Sequence, residues 1–169
     1  MTASPSTPTV AAADDVRAAL RRMVNSVCVL TCVVDGERFA MAATAVNALT
    51  MQPPSMIAAI NRETSFHRPL TQVRHFGINV LGAQHEPIGR ACGGAARGQA
   101  RFDLGDWESE ADTGVPILAD AQTALVCARG HIVECGSHSL VVGPVVSVRQ
   151  TGTLAPLVYL DGRYAVIAV

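Results

Sequence analysis

The chain has 169 residues, of which 49% are hydrophobic and only 16% are charged, and its formal net charge is −1. A near-neutral chain with scattered basic residues gives no reason to expect a nucleic-acid or anionic-membrane partner. Because soluble domains typically contain about 25% charged residues, we expect part of the surface to be covered by another subunit.

The length predicts one folded domain, residues 14–169, after a disordered segment, residues 1–13, that is rich in Ser, Thr, Pro and Ala. No apolar run approaches the roughly 18 residues needed to cross a bilayer, and the N-terminus lacks a secretory signal pattern, so we expect a cytoplasmic protein. The cysteines lie mostly in apolar runs without metal-ligand spacing, which predicts buried thiols and no metal site: Cys28, Cys32, Cys92, Cys127 and Cys135.

Three helices are predicted. The first begins at Asp14, and its apolar residues recur at helical spacing from Val16 to Val24, as in a helix that covers one end of a barrel. The second follows Ser65, which is placed to cap it, and the third spans Glu86–Cys92.

Strands dominate the rest of the chain. A hairpin is predicted from Val27–Val34 through a turn at Asp35–Gly36 to a returning strand, Phe39–Leu49. Seven more segments have strand character: Met56–Ile60, Gly77–Leu81, Leu125–Ala128, His131–Cys135, Leu140–Val148, Leu157–Leu160 and Tyr164–Val169. The polar stretch Gly94–Gly114 is predicted to be a long loop with one turn of helix. This pattern predicts a mainly β fold, an antiparallel β-barrel with peripheral helices.

The segment Ala40–Pro54 carries small side chains, two threonines and one asparagine between two strand-like runs. Small side chains let a planar ligand approach the backbone, whose N–H groups can meet the edge of its ring. An ordinary strand–loop–strand connection explains the same residues.

A phosphate site is predicted where Asn61–Ser65 leaves an apolar strand. The hydroxyls of Thr64 and Ser65 and the free N–H groups of a helix start are suited to bind a phosphate, and Arg62 or Arg101 would balance its charge. The alternative interpretation is an ordinary helix cap.

His138 is the candidate catalytic residue, because it lies in a polar turn whose small neighbours, Gly136 and Ser137, leave room for a ligand. A solvated turn histidine is the alternative. The sequence contains no dinucleotide-binding glycine fingerprint, no phosphate-binding loop motif and no nucleophile motif, so hydrolytic chemistry has little support.

Six groups of segments match a known family in chain order across residues 16–164: Met41–Val46 with Pro53–Pro54, Ile60–Arg62 with Ser65, Phe76–Leu81 with Gln84, Arg101–Phe102 ahead of Trp107, Gly136–Leu140 with Gly143, and Pro156–Tyr159 with Gly162–Tyr164. In this order and spacing they resemble the flavin reductase family, the NAD(P)H-dependent partners of two-component flavin monooxygenases.

The resemblance implies a six-stranded antiparallel Greek-key split barrel of the FMN-binding type, and a homodimer with flavin near the subunit interface. It implies hydride transfer from NADH or NADPH to FMN or FAD, with reduced flavin passed to a partner monooxygenase. Two alternatives stay open: a flavin-dependent reductase of another acceptor, such as a corrinoid or a metal complex, and a non-catalytic flavin-binding module.

The resemblance also implies roles for individual residues. His138 would lie beside the nicotinamide, while the remaining positions would bind the flavin: Thr44, Ala45, Val46, Asn47, Asn61, Thr64, Ser65, Leu81, Arg101, Phe102 and Tyr164. The chain departs from the family pattern at Ser137, where an aspartate is usual, and at Asn47, where a smaller residue is common.

Overall fold

The computed structural model describes residues 10–167, which form thirteen strands and three short α-helices. The helices are α1 (Ala13–Leu20), α2 (His67–Gln72) and α3 (Glu86–Arg90). The strands are β1 (Asn25–Ser26), β2 (Cys28–Val34), β3 (Glu37–Ala43), β4 (Val46–Met51), β5 (Pro54–Asn61), β6 (His75–Val80), β7 (Trp107–Ser109), β8 (Pro116–Leu118), β9 (Thr123–Ala128), β10 (Ile132–Cys135), β11 (His138–Gln150), β12 (Leu157–Leu160) and β13 (Arg163–Val166).

Strands make up most of the regular structure in residues 10–167, which confirms the mainly β prediction, and every strand pair is antiparallel. The largest sheet has the order β3-β2-β6-β9-β11-β5-β4, with β10 beside β11; the smaller sheets are β1-β12-β13 and β7-β8. The large sheet thus contains eight strands, and the predicted count of six is not confirmed.

Two hydrophobic clusters lie on opposite faces of β2. Val27 and Val29 belong to one cluster, whereas Cys28, Leu30 and Cys32 belong to the other, as expected from the alternation of side chains along a strand. Because the strand is buried on both faces, its sequence is continuously apolar. Four cysteines are buried and only Cys135 is exposed, which largely confirms the prediction for the thiols.

The returning strand predicted at Phe39–Leu49 is divided in two. β3 pairs with β2, whereas β4 pairs with β5, so the chain changes partners at Thr44–Ala45. The prediction of one strand was wrong because both halves carry similar small and apolar residues, and the pattern holds no sign of a change of partner.

α1 forms where the helical pattern predicts it, but it buries none of its residues. The apolar residues along and just after it are 42% to 54% exposed: Val16, Leu20, Met23 and Val24. The prediction that this helix covers a barrel end is therefore wrong for the single chain. None of the helices in residues 10–167 is long and apolar enough to span a membrane.

Two other predicted features differ in detail. α2 begins at His67, two residues after the predicted cap Ser65. The stretch Gly94–Gly114 contains the expected helical turn, a 3₁₀ helix at Gly98–Phe102, and also β7, which was not predicted. The ends of the predicted disordered segment and of the last predicted strand lie outside the described residues, at residues 1–9 and 168–169.

Candidate functional site

The change of strand partners at Thr44–Ala45 opens a small cavity. The carbonyl of Ala45 accepts a hydrogen bond from the Ala59 N–H at 2.9 Å, so the backbone already follows β5 at that residue. The adjacent cavity has a volume of about 170 Å³ and is lined by Val27, Ala42, Ala43, Thr44, Gly93, Tyr159 and Tyr164. Small residues form one side of it and two tyrosines form the other.

Tyr164 is held rigidly at this cavity. Its ring meets that of Tyr159 edge to face, with centroids 5.3 Å apart, and the Arg90 guanidinium lies 5.0 Å from the Tyr164 ring centroid. A Cβ on Gly89 would lie 3.2 Å from this ring, so the glycine permits the close approach. Burial raises the pKa of the Tyr164 phenol. An aromatic ring next to small residues in one cavity lining can stack on a planar ligand.

The predicted phosphate-binding residues Arg101 and Ser65 are brought together. The Arg101 side chain donates hydrogen bonds to the carbonyls of Ala40, at 2.5 Å, and Ala96, at 3.1 Å. This places Arg101 Nη1 3.4 Å from Ser65 Oγ. A cation and a hydroxyl at this separation can bind one phosphoryl group together.

Asn61 and Thr64 shape the turn that carries Ser65. The Asn61 side-chain oxygen accepts from the Glu63 N–H at 3.0 Å, and the Thr64 hydroxyl donates to the Asn61 carbonyl at 2.9 Å. The predicted helix cap is wrong, because α2 has Phe66 at its N-cap position and no side-chain cap bond. Ser65 instead faces Arg101.

His138 is the first residue of β11 and lies next to the turn rather than within it. It is half-buried, its Nδ1 lies 2.9 Å from Ser137 Oγ, and its strand partner in β5 is Asn61. The structure therefore places the predicted nicotinamide contact directly across from Asn61, the first residue of the turn predicted to bind phosphate. The pairing of His138 with Asn61 could not be predicted, because the two residues are far apart in the sequence.

Arg62, one of the two cations that the sequence offered for the phosphate, makes its contacts with the turn before His138. Its guanidinium donates to Glu134 Oε2 at 2.8 Å and to the Gly136 carbonyl at 2.7 Å, and its N–H donates to the Ser137 carbonyl at 3.0 Å. Arg62 thus holds the turn before His138, and Arg101 is the cation at Ser65.

Three residues that were predicted to contact flavin do not line the cavity at Thr44. Leu81 is fully buried in the core, its N–H bonded to the Val27 carbonyl, because it continues the chain out of β6. Phe102 is buried against Trp107, with ring centroids 5.2 Å apart. Asn47 is exposed on β4, one residue beyond the half-buried Val46. The side chains of Leu81 and Phe102 are thus both buried within the chain.

A second and larger cavity, which the sequence did not predict, adjoins Ser65. It measures about 510 Å³ and lies between the β2–β3 hairpin and α2. No group of three or more potential metal ligands was found among residues 10–167.

Comparison with known proteins gives a consistent family. The family model described as a flavin reductase like domain matches residues 20–168. The FMN reductase (NADH) RutF of Bradyrhizobium diazoefficiens is 31% identical over 158 residues, covering 94% of this chain and 87% of the relative. The reductase component of the FADH(2)-dependent resorcinol hydroxylase of a Rhizobium species is 32% identical, covering 88% of this chain and 83% of the relative.

Solved structures share the fold. The Streptomyces globisporus NADH:FAD oxidoreductase SgcE6 superimposes with a TM-score of 0.86 at 25% identity, covering 98% of this chain and 100% of that one. BorF, the flavin reductase component of a bacterial two-component tryptophan halogenase, superimposes with a TM-score of 0.84 at 24% identity, covering 92% and 98% of the two chains.

The contacts of Arg62 predict that Arg62→Ala loosens the turn before His138. Two side-chain hydrogen bonds disappear, so backbone amides in residues 134–138 should exchange several-fold faster by hydrogen–deuterium exchange mass spectrometry. Arg22→Ala, at an exposed position outside this turn, is the control. Unchanged exchange in the Arg62 variant contradicts the assigned role.

Proposed function

The chain belongs to the flavin reductase family, and on that premise we propose that it transfers a hydride from NADH or NADPH to FMN or FAD. The observation that carries this proposal is the position of two features along β3. The cavity with the two tyrosines lies at Thr44, the residue that follows β3. Four residues earlier in the chain, the Ala40 carbonyl accepts a hydrogen bond from Arg101, which lies beside Ser65. At about 3.3 Å per strand residue this separation is about 13 Å, a span suited to a ring joined to a phosphate by a short chain.

The ring would lie in the cavity at Thr44, against the wall formed by Tyr164. We infer that the Thr44 hydroxyl and the backbone of Ala45 and Val46 meet the ring edge and stabilise the negative charge that develops on it. Flavin, when bound, supplies the electronic chemistry by accepting the hydride at N5. The protein orients the two rings and excludes water between them.

The anionic tail would bind between Arg101 and Ser65, with Thr64 and Asn61 fixing the turn. A phosphate monoester carries about −1.5 to −2 charges at neutral pH, and a guanidinium beside a hydroxyl supplies several N–H and O–H donors. The proposed phosphate site consists of side chains and does not use the N–H groups of a helix start, because α2 begins at His67, after Ser65.

His138 would contact the dinucleotide. Ser137 lies within hydrogen-bond distance of Nδ1 and fixes the ring, so Nε2 is the nitrogen available to a ligand. Hydride transfer needs no protein acid or base, so we assign His138 to binding and orientation.

We propose a homodimer, located in the cytoplasm, that supplies reduced flavin to a monooxygenase. The exposed apolar residues of α1 and β4 support a dimer, since β4 carries Leu49 at 50% and Met51 at 68% exposure. The relative that serves a resorcinol hydroxylase supports the partner class.

The proposed activity is tested with purified protein, NADH or NADPH, and FMN or FAD, by the loss of dinucleotide absorbance. We expect steady oxidation that depends on added flavin. Turnover only with a corrinoid or a metal complex would favour reduction of another acceptor. Flavin binding without turnover would favour a cofactor-binding module.

Replacing the imidazole isolates its role. His138→Ala should raise the KM for NADH or slow flavin reduction by about tenfold, which corresponds to roughly 1.4 kcal/mol, while the Kd for flavin stays the same. Stopped-flow absorbance and flavin titration measure both. His131→Ala, at an exposed residue, is the control. Equal reduction rates in the His138 variant and the unmodified protein reject this role.

The hydroxyl at the phosphate site is tested by Ser65→Ala. One hydrogen bond to a charged group contributes about 1.5–3 kcal/mol, so FMN affinity should fall at least tenfold while riboflavin affinity changes little. Fluorescence titration with both ligands measures this, with Ser109→Ala on β7 as the control. Equal losses for both ligands mean that Ser65 does not bind the phosphate.

A further inference from the structure

β3 forms one edge of the large sheet, and the 3₁₀ helix Gly98–Phe102 lies against that edge. Gln99 Nε2 donates a hydrogen bond to the Arg38 carbonyl at 2.8 Å. Two residues further along both segments, Arg101 Nη1 donates to the Ala40 carbonyl at 2.5 Å. An edge strand leaves the backbone groups of every second residue without a strand partner. Two side chains of the 3₁₀ helix therefore take the place that a further strand would have.

These backbone contacts determine where the Arg101 guanidinium points. Its Nε donates to the Ala96 carbonyl at 3.1 Å and its Nη1 to the Ala40 carbonyl, so backbone acceptors hold two of its nitrogens. The same Nη1 lies 3.4 Å from Ser65 Oγ, and Nη2 donates to no group within residues 10–167. A guanidinium held on one side presents its remaining N–H groups in a fixed direction, here beside the Ser65 hydroxyl.

Gln99 makes both of its side-chain contacts with Arg38. Besides the hydrogen bond from its Nε2 to the Arg38 carbonyl, its Oε1 lies 3.5 Å from Arg38 Nε. The Arg38 guanidinium in turn lies over the Phe102 ring, 4.4 Å from its centroid. The residue next to Arg101 on the C-terminal side and the residue two positions before it thus contact the same residue of β3. Although Gln99 is exposed, its contacts fix the segment that carries Arg101.

We propose that Gln99 is a positioning residue for the flavin phosphate and that it acts through Arg101. This rests on the proposed function, in which Arg101 and Ser65 bind that phosphate. The hydrogen bond from Gln99 to Arg38 holds the 3₁₀ helix against β3, so the Arg101 guanidinium is in place before the ligand binds. Without the Gln99 amide this segment moves more freely, and binding has to supply the free energy that orders the long Arg101 side chain. Gln99 therefore contributes to the affinity for phosphorylated flavin only.

The test is a double-mutant cycle with Gln99→Ala, Arg101→Ala and both together. Fluorescence titration gives the Kd for FMN and for riboflavin, which lacks the phosphate. Loss of one hydrogen bond should raise the Kd for FMN roughly three- to tenfold in Gln99→Ala and leave riboflavin unchanged. In the Arg101→Ala background the same substitution should change the Kd for FMN by less than about twofold, because the residue through which Gln99 acts is gone. Gln150→Ala, at an exposed glutamine at the other end of β11 from His138, is the control.

Each other outcome overturns the assignment. Equal losses for FMN and riboflavin mean that Gln99 only maintains the fold, and no loss for either means that its hydrogen bond does not hold Arg101 in place. A loss of the same size with and without Arg101 means that Gln99 affects the ligand by another route. If the unmodified protein binds no flavin, or binds FMN no more tightly than riboflavin, the proposed phosphate site fails and this assignment falls with it; that result is recognisable without the variants.

Discussion

The long strand β11 is the constraint on which the rest of the structure depends. Its first half pairs with β5 and β10, and its second half pairs with β9, with a register shift between Val145 and Ser147. Buried backbone groups need hydrogen-bond partners, so the pairing of β11 with β5 and β10 on one side and with β9 on the other fixes how these strands are arranged. A Cβ on Gly143 would lie 2.3 Å from the Ala128 carbonyl oxygen, so only glycine permits this packing. The same pairing places His138 opposite Asn61.

Local patterns were sufficient for much of the fold. The apolar run of β2 and the Asp35–Gly36 turn predicted the first hairpin, and both turn residues have positive φ angles, as this turn type requires. The division of the next strand at Thr44–Ala45 could not be predicted, because a change of partner depends on β5 and leaves no mark in local composition.

The candidate site was predicted where the chemistry of its residues points to a shared ligand, and it was missed where only tertiary packing brings the residues together. Ser65 and Arg101 were paired through their chemistry, and the structure brings them together. Arg62 was one of two cations considered for the phosphate, and its ion pair with Glu134, 72 residues away along the chain, could not be predicted from the sequence. The larger cavity between the β2–β3 hairpin and α2 was not predicted, since its lining comes from two separate segments that meet only through tertiary packing.

The buried cysteines have a consequence for chemical durability. Dihydroflavin that escapes into solution reacts with oxygen and yields peroxide, which attacks accessible thiolates. Burial raises the pKa of Cys28, Cys32 and Cys127 to about 12, so almost no thiolate is present there at neutral pH. A flavin-reducing protein with this core keeps these three thiols away from the by-product of its own turnover. Among its cysteines, only Cys135 is exposed to that oxidant.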